Sequence, residues 1–202
     1  KQQNDFRETT GEETYWTNSA FGGMPTYQLG AHYPHNYIKK LDHTLRFLPR
    51  PADYLFLYLA GFYVLLLVLK VDYKLAALGA LAFGFSTYLI IILGVGHNSK
   101  AHAIAIMPLV LSGILLTFQK KYIYGFLLTV VALGLEINAN HPQMTYYLML
   151  LVLVLGLVYL IDAYKKAVLK HYFKSVGILV AAVVLSVGLN ATGFLATQEY
   201  VK

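Results

Sequence analysis

The stretch MTYYLMLLVLVLGLVYLI, residues 144–161, runs for eighteen positions without one Asp, Glu, Lys or Arg. A helix rises about 1.5 Å per residue and the hydrocarbon core of a bilayer is roughly 30 Å thick, so a span needs about 17–25 apolar residues. This stretch meets that length, and it is one of six. Charge-free apolar runs also occupy residues 54–69, 75–96, 103–118, 122–135 and 175–197. Six consecutive buried helices in a soluble protein would need a polar shell. The chain supplies none, since 57% of its 202 residues are hydrophobic and 13% are charged, about half the charged share of an ordinary soluble domain. The reading is an integral membrane protein: an all-α, polytopic bundle of about six spans, near residues 52–69, 74–96, 101–118, 121–137, 143–162 and 175–197. The absence of cysteine excludes disulfides, thiolate metal sites and a cysteine nucleophile together.

The lysines then orient the bundle. Between the runs, the first, third and fifth polar breaks hold Lys70, Lys74, Lys120, Lys121, Lys165, Lys166, Lys170 and Lys174, while the second holds only Lys100 and the fourth none. Positive charge near helix ends is retained on the cytoplasmic side. The odd breaks are therefore expected to face the cytoplasm, and residues 1–51, the even breaks and the carboxyl terminus to face outward. The net charge of +6 is thus an orientation mark, and no nucleic-acid partner is expected.

Residues 1–51 differ from the rest: they hold six of the sixteen basic residues, five of the ten acidic ones and the only tryptophan. Within them, residues 37–48 place Ile38, Leu41, Leu45 and Leu48 at helical spacing, with Lys39, Lys40, Asp42, His43 and Arg46 on other faces. An apolar stripe with a basic flank fits a helix lying in the membrane interface; a helix packed on its own loop domain is the other reading. The chain opens Lys-Gln-Gln-Asn-Asp without Met or an apolar leader, and the expectation is a piece of a longer protein.

Polar chemistry gathers on the outer side. The second break carries His97, Lys100 and His102, and the fourth carries Glu136, Asn138, Asn140, His141 and Gln143. Glu136 continues directly from an apolar run, where a carboxylate is costly and usually faces a partner or a water-filled cavity. On a continuous helix Asn140 would share its face at i+4, giving an acid or base beside a hydrogen-bonding group. Alternatively, Glu136 marks the helix end at the water interface. His97, His102 and His141 are three imidazoles on one side, but their spacing is not a recognised ligand pattern; no metal site and no cofactor are assigned, and contact of Lys100 with a phosphate is the preferred reading. Ala80 and Gly84 have the small-xxx-small spacing that lets helices approach closely.

Three strings carry a resemblance: Trp16-Thr17-Asn18-Ser19-Ala20-Phe21-Gly22-Gly23-Met24-Pro25, His97-Asn98-Ser99-Lys100-Ala101-His102, and Asn138-Ala139-Asn140-His141-Pro142-Gln143-Met144-Thr145-Tyr146-Tyr147. With these the chain resembles the bacterial YfhO-like membrane proteins, which are similar to the GT-C class of glycosyltransferases. The resemblance implies an outward-facing active site in the bacterial inner (cytoplasmic) membrane, a polyprenyl-phosphate-linked sugar as donor and a cell-envelope glycan or protein as acceptor. It implies that the main catalytic acid lies before Lys1, with Glu136 as a second candidate. Lys100, His97, His102 and Arg46 are candidates for the donor phosphate, Asn140 and His141 for further substrate contacts, and Trp16 and Asn18 for the sugar. The competing classes are a transporter or flippase subunit and a non-catalytic membrane scaffold.

Overall fold

The computed structural model describes residues 2–19, 22–26, 33 and 35–201. These are mostly helical, so the all-α expectation holds. The chain divides into two units, residues 38–188 and residues 1–37 with 189–202.

In the smaller unit, α1 (Gln2–Thr10) precedes a two-stranded antiparallel ribbon, β1 (Trp16–Thr17) with β2 (Met24–Pro25). Gly23 allows the ribbon to close: at φ 121° it is in the left-handed region, and a Cβ there would lie 2.7 Å from the Trp16 ring. The indole therefore rests on glycine backbone, where no other residue would fit.

The larger unit holds α2 (Tyr37–Leu45), α3 (Ala52–Val68), α4 (Tyr73–Gly84), α5 (Thr87–Gly94), α6 (Asn98–Phe118), α7 (Tyr122–Asn138), α8 (Pro142–Lys165) and α9 (Leu169–Leu189). Here α6 is the inner helix. Two-thirds (67%) of its apolar window is buried, against 11% for α8 and 17% for α9, whose Leu, Val and Ile side chains face outward. Three helices, α6, α8 and α9, are long and apolar enough to cross a membrane, or four if the α4–α5 pair is one span. This is a multi-pass arrangement. The 17-residue helices α3 and α7 reach about 25 Å, just short of the hydrocarbon thickness.

Contacts at the helix ends give each helix its direction. The Tyr54 and His102 rings lie 5.7 Å apart, and Gln119 Nε2 donates to the Val68 carbonyl at 2.9 Å, so α3 and α6 run parallel. The turn at residues 119–121 sends α7 back along α6. Thr145 near the start of α8 meets Glu136 near the end of α7, and Tyr172 on α9 reaches Gly156 on α8. One end of the bundle therefore carries the amino termini of α3, α6 and α8, and the other carries all eight lysines of the odd breaks. Helix stops reinforce this. At the lysine end three turns close with a residue in the left-handed region, Lys70, Lys120 and Ala167, each followed by a backbone bond spanning the turn (Val71 N to Leu66 O, Lys121 N to Leu116 O, Val168 N to Ala163 O), as in the Schellman cap.

The tightest seam joins α6 to α7. Gly113 and Thr117 on α6 face Gly125 and Thr129 on α7 in a reciprocal pattern. A Cβ on Gly125 would lie 2.6 Å from Thr117 N and 2.8 Å from Gly113 O, and one on Gly113 would lie 2.7 Å from Thr129 N. The same logic applies between α3 and α4, where Gly84 accommodates Leu59 and Ala80 is buried, in keeping with the small-xxx-small spacing.

Three expectations need correction. The span at 74–96 is two helices bent by 48°: Ser86 is extended at ψ 142°, a conformation serine favours before a helix start, and the hydrogen-bond ladder restarts at Ile90 N to Ser86 O. The span at 175–197 is α9, which begins earlier at Leu169, and α10 (Ala191–Val201); Asn190 separates them and its carbonyl accepts from Gly193 and Phe194. Finally, the stripe of α2 turns inward only in part: Ile38 is buried and Leu45 packs on the core. Its inward face carries Ile38 and Asp42, while Leu41 is exposed along with Tyr37 and Phe47. Asp42 is met there by Arg46 and His102.

Candidate functional site

Asp42 is 3% exposed and anchors a polar cluster at the lysine-poor end of the bundle. One turn on along α2, Arg46 reaches back to it: Nη2 donates to Oδ2 at 2.7 Å and Nε contacts both oxygens at 3.1–3.2 Å, the bidentate geometry that suits guanidinium to carboxylate. From α6, His102 Nε2 lies 2.8 Å from Asp42 Oδ1. From α3, Asp53 Oδ2 lies 3.5 Å from Arg46 Nη1 and the Tyr54 hydroxyl accepts from the same nitrogen at 3.2 Å. Asp53 sits in the first turn of α3, where the helix dipole favours an acid, and accepts the Tyr54 N–H at 2.8 Å.

Burial alone would raise the Asp42 carboxyl, but His102 and Arg46 outweigh it and hold the group below its usual 3.8. Arg46 is in turn held charged by Asp42. The arrangement ties three segments, α2, α3 and α6, through polar contacts that are nearly dry. It also commits the Arg46 guanidinium to carboxylates, whereas the resemblance implies a contact with the donor phosphate.

Glu136 forms a second cluster at the same end. It is fully buried, and the Thr145 hydroxyl lies 3.1 Å from each of its oxygens. One hydroxyl proton thus serves two carboxylate oxygens, and Thr145 also lies 3.4 Å from the His141 carbonyl. Among the described residues no cation pairs with Glu136. A buried carboxylate with a single shared donor keeps most of its accepting capacity unused. His141 Nδ1 is likewise buried without a hydrogen-bond partner.

The pairing of Glu136 with Asn140 on one helix face does not form. Helix α7 ends at Asn138, and Asn140 takes φ 54°, the left-handed conformation that asparagine tolerates; Pro142 then starts α8. Asn140 is exposed while Glu136 is buried. Thr145, on the other arm of this turn, is the group that reaches the carboxylate.

His97 is exposed and Lys100 half-buried, with Lys100 Nζ 5.4 Å from the Tyr88 ring centroid. Neither has an acidic partner among the described residues. His102, two residues after Lys100 and five after His97, contacts Asp42. Among the described residues no group of three His, Asp or Glu could hold a metal ion. In the smaller unit Trp16 is half exposed (52%), and its Nε1 donates to Asn18 Oδ1 at 2.9 Å. Gln2 Oε1 accepts from Thr17, Asn18 and Ser19, which orders the Trp-x-Asn stretch from α1. Phe21 of the quoted motif lies outside the described residues.

Asp42, Asp53, Tyr54 and Thr145 did not emerge from the sequence. The i to i+4 spacing of Asp42 and Arg46 was the available signal, and it was read as a solvated face. Compared with known protein families, curated proteins and solved structures, the chain matches none.

Proposed function

We propose that the chain belongs to a membrane-embedded, GT-C-like glycosyltransferase that moves a sugar from a polyprenyl-phosphate donor to a cell-envelope acceptor on the outer face of the bacterial inner membrane. The observation that carries this reading is Glu136: a fully buried carboxylate with unused accepting capacity, at the end of the bundle that lacks the lysine belt. The resemblance of the Trp16–Pro25 and 138–147 strings to YfhO-like proteins supports the reaction class. In this reading α3, the bent α4–α5 pair, α6, α7, α8 and α9 make six passes, with the lysine end in the cytoplasm.

The roles follow from what each group has free. Glu136 accepts the proton of the acceptor hydroxyl as it attacks the anomeric carbon. Lys100 and His97 meet the donor phosphate, which leaves with the carrier lipid. Asp42, Arg46 and His102 hold α2 in place beneath the lipid's approach, with Leu41 and Phe47 toward the bilayer. Trp16, held by Asn18, offers an aromatic face to a sugar ring.

The test uses the full-length protein and a labelled polyprenyl-phosphate sugar. Lys100→Ala should lower transfer at least tenfold, mostly through weaker donor binding; unchanged transfer would remove Lys100 from the site. One observation favours a transporter instead, the 48° break between α4 and α5, since discontinuous helices line many substrate paths. Substrate counterflow in proteoliposomes without any sugar transfer would establish that alternative.

A further inference from the structure

The lysine end of the bundle is more than an orientation mark. Two ties gather lysines there from segments far apart in sequence. Gln119 bonds the Val68 carbonyl, which sets the α6–α7 turn beside the end of α3. His171 bonds the Phe118 carbonyl and the Tyr122 hydroxyl, both at 2.9 Å, which sets the start of α9 beside the same turn. A carbonyl only accepts, so His171 donates from Nε2. Lys70, Lys120, Lys121, Lys170 and Lys174 are thereby brought around one turn, and all five are exposed.

The carboxylates near this end are already engaged. Asp162 pairs with Lys166 at 2.9 Å, and Asp72 accepts the Lys74 N–H at the cap of α4. Among the described residues none pairs with the five converging lysines. Lys174 lies over the Tyr122 ring at 4.5 Å, and Tyr73, Tyr124 and Phe173 are exposed nearby, the aromatic complement expected at headgroup depth.

Two of these lysines occupy positions that the backbone would give to glycine. Lys70 at φ 63° and Lys120 at φ 65° are in the left-handed region, as Ala167 is at the third turn of this end. Both follow a helix carboxyl-terminal end, where the helix dipole favours a cation.

We propose that this end binds the phosphate of anionic phospholipid headgroups, seated at the α6–α7 turn among Lys120, Lys121, Lys170 and Lys174 with Lys70 at its edge. The interaction is independent of the sugar-transfer reading, because it uses the opposite end of the bundle. Each lysine near an anionic leaflet contributes a few-fold in affinity, and several acting together give tenfold or more.

The experiment places the purified full chain in nanodiscs of phosphatidylcholine alone or mixed with phosphatidylglycerol. Lipids retained on transfer to detergent are then counted by native mass spectrometry. Phosphatidylglycerol should be retained roughly tenfold over its share of the mixture, the enrichment should fall as sodium chloride is raised, and inorganic phosphate should fail to compete. Changing Lys120, Lys121, Lys170 and Lys174 to Gln should abolish the enrichment while leaving the thermal midpoint in phosphatidylcholine unchanged. Equal retention of both lipids by the unaltered protein would overturn the proposal, as would full enrichment in the variant. Competition by inorganic phosphate would overturn the lipid assignment in favour of a free-anion site. Because the salt series needs no variant, the proposal stays testable if the variant folds poorly.

Discussion

Replacing Gly125 with alanine tests the α6–α7 seam with a result whose sign is informative. In an open helix this change stabilises by about 1 kcal/mol, because alanine is the better helix former. At this seam the added Cβ would meet Thr117 N at 2.6 Å and Gly113 O at 2.8 Å, both backbone atoms that no side-chain rotation can move. Ordinary contact requires the helices to part locally by about 1 Å, and a gap of that size forfeits a quarter to a half of the dispersion well. Overpacking of this kind costs about 1–3 kcal/mol, here at the upper end. Gly113→Ala should behave alike, and the double variant should cost less than the sum because one displacement relieves both. The assay is denaturant unfolding in detergent followed by circular dichroism, since the only tryptophan lies outside this unit. Gly177→Ala is the control, with nothing within 4 Å of its added Cβ. If Gly125→Ala proved as harmless as Gly177→Ala, the reciprocal packing would be wrong.

Asp42→Asn removes the acid between Arg46 and His102 and should cost about 3 kcal/mol, the lower part of the range for breaking a buried pair; faster hydrogen exchange over residues 37–50 should report it, and unchanged exchange there would deny the latch. Because the folded Asp42 titrates below its usual 3.8, its stabilising contribution is complete above that pH and is lost as pH falls through the lower folded value. The difference in stability between the unaltered protein and Asp42→Asn should therefore shrink with acidification below about pH 4, and a constant difference would contradict the pairing. Glu136→Gln should leave the fold as stable as before or up to about 2 kcal/mol more stable, while the proposed sugar transfer should fall about 10²–10⁴-fold; marked destabilisation with transfer retained would make Glu136 a structural residue.

What the sequence disclosed depended on how far apart the interacting residues lie. Charge-free runs and alternating lysines are local signals, and they yielded the helical bundle and its two unlike ends. The break at Ser86 was hidden because one serine after Gly84-Phe85 does not interrupt an apolar run. Asp42 was hidden for a different reason: its partner His102 is sixty residues away in sequence, and without that partner an acid on an amphipathic helix reads as solvent-facing. The α6–α7 seam was available in principle. Residues 113–117 read Gly-Ile-Leu-Leu-Thr and residues 125–129 read Gly-Phe-Leu-Leu-Thr, and that near repeat places glycine and threonine one turn apart on both arms of a hairpin. The small-residue reading was applied to Ala80 and Gly84 alone. Asn140 failed as a partner of Glu136 because the helix was assumed to continue past a residue that readily adopts the left-handed conformation before a proline.

The buried acids of the lysine-poor end separate into two kinds when helix direction is taken into account. Asp53 stands at an amino terminus, where the backbone dipole favours negative charge, and both it and Asp42 contact a guanidinium. Their burial is offset where they sit. Glu136 stands in the last turn of α7, where the same dipole opposes a carboxylate, and it has one hydroxyl and no cation among the described residues. A packed, membrane-embedded bundle gains nothing in stability from an acid so placed; leucine would fill the volume without the desolvation cost. Asp42 and Asp53 therefore explain how α2 is held, whereas no packing or pairing offsets the burial of Glu136, and the loss of stability expected for Asp42→Asn but not for Glu136→Gln expresses that difference.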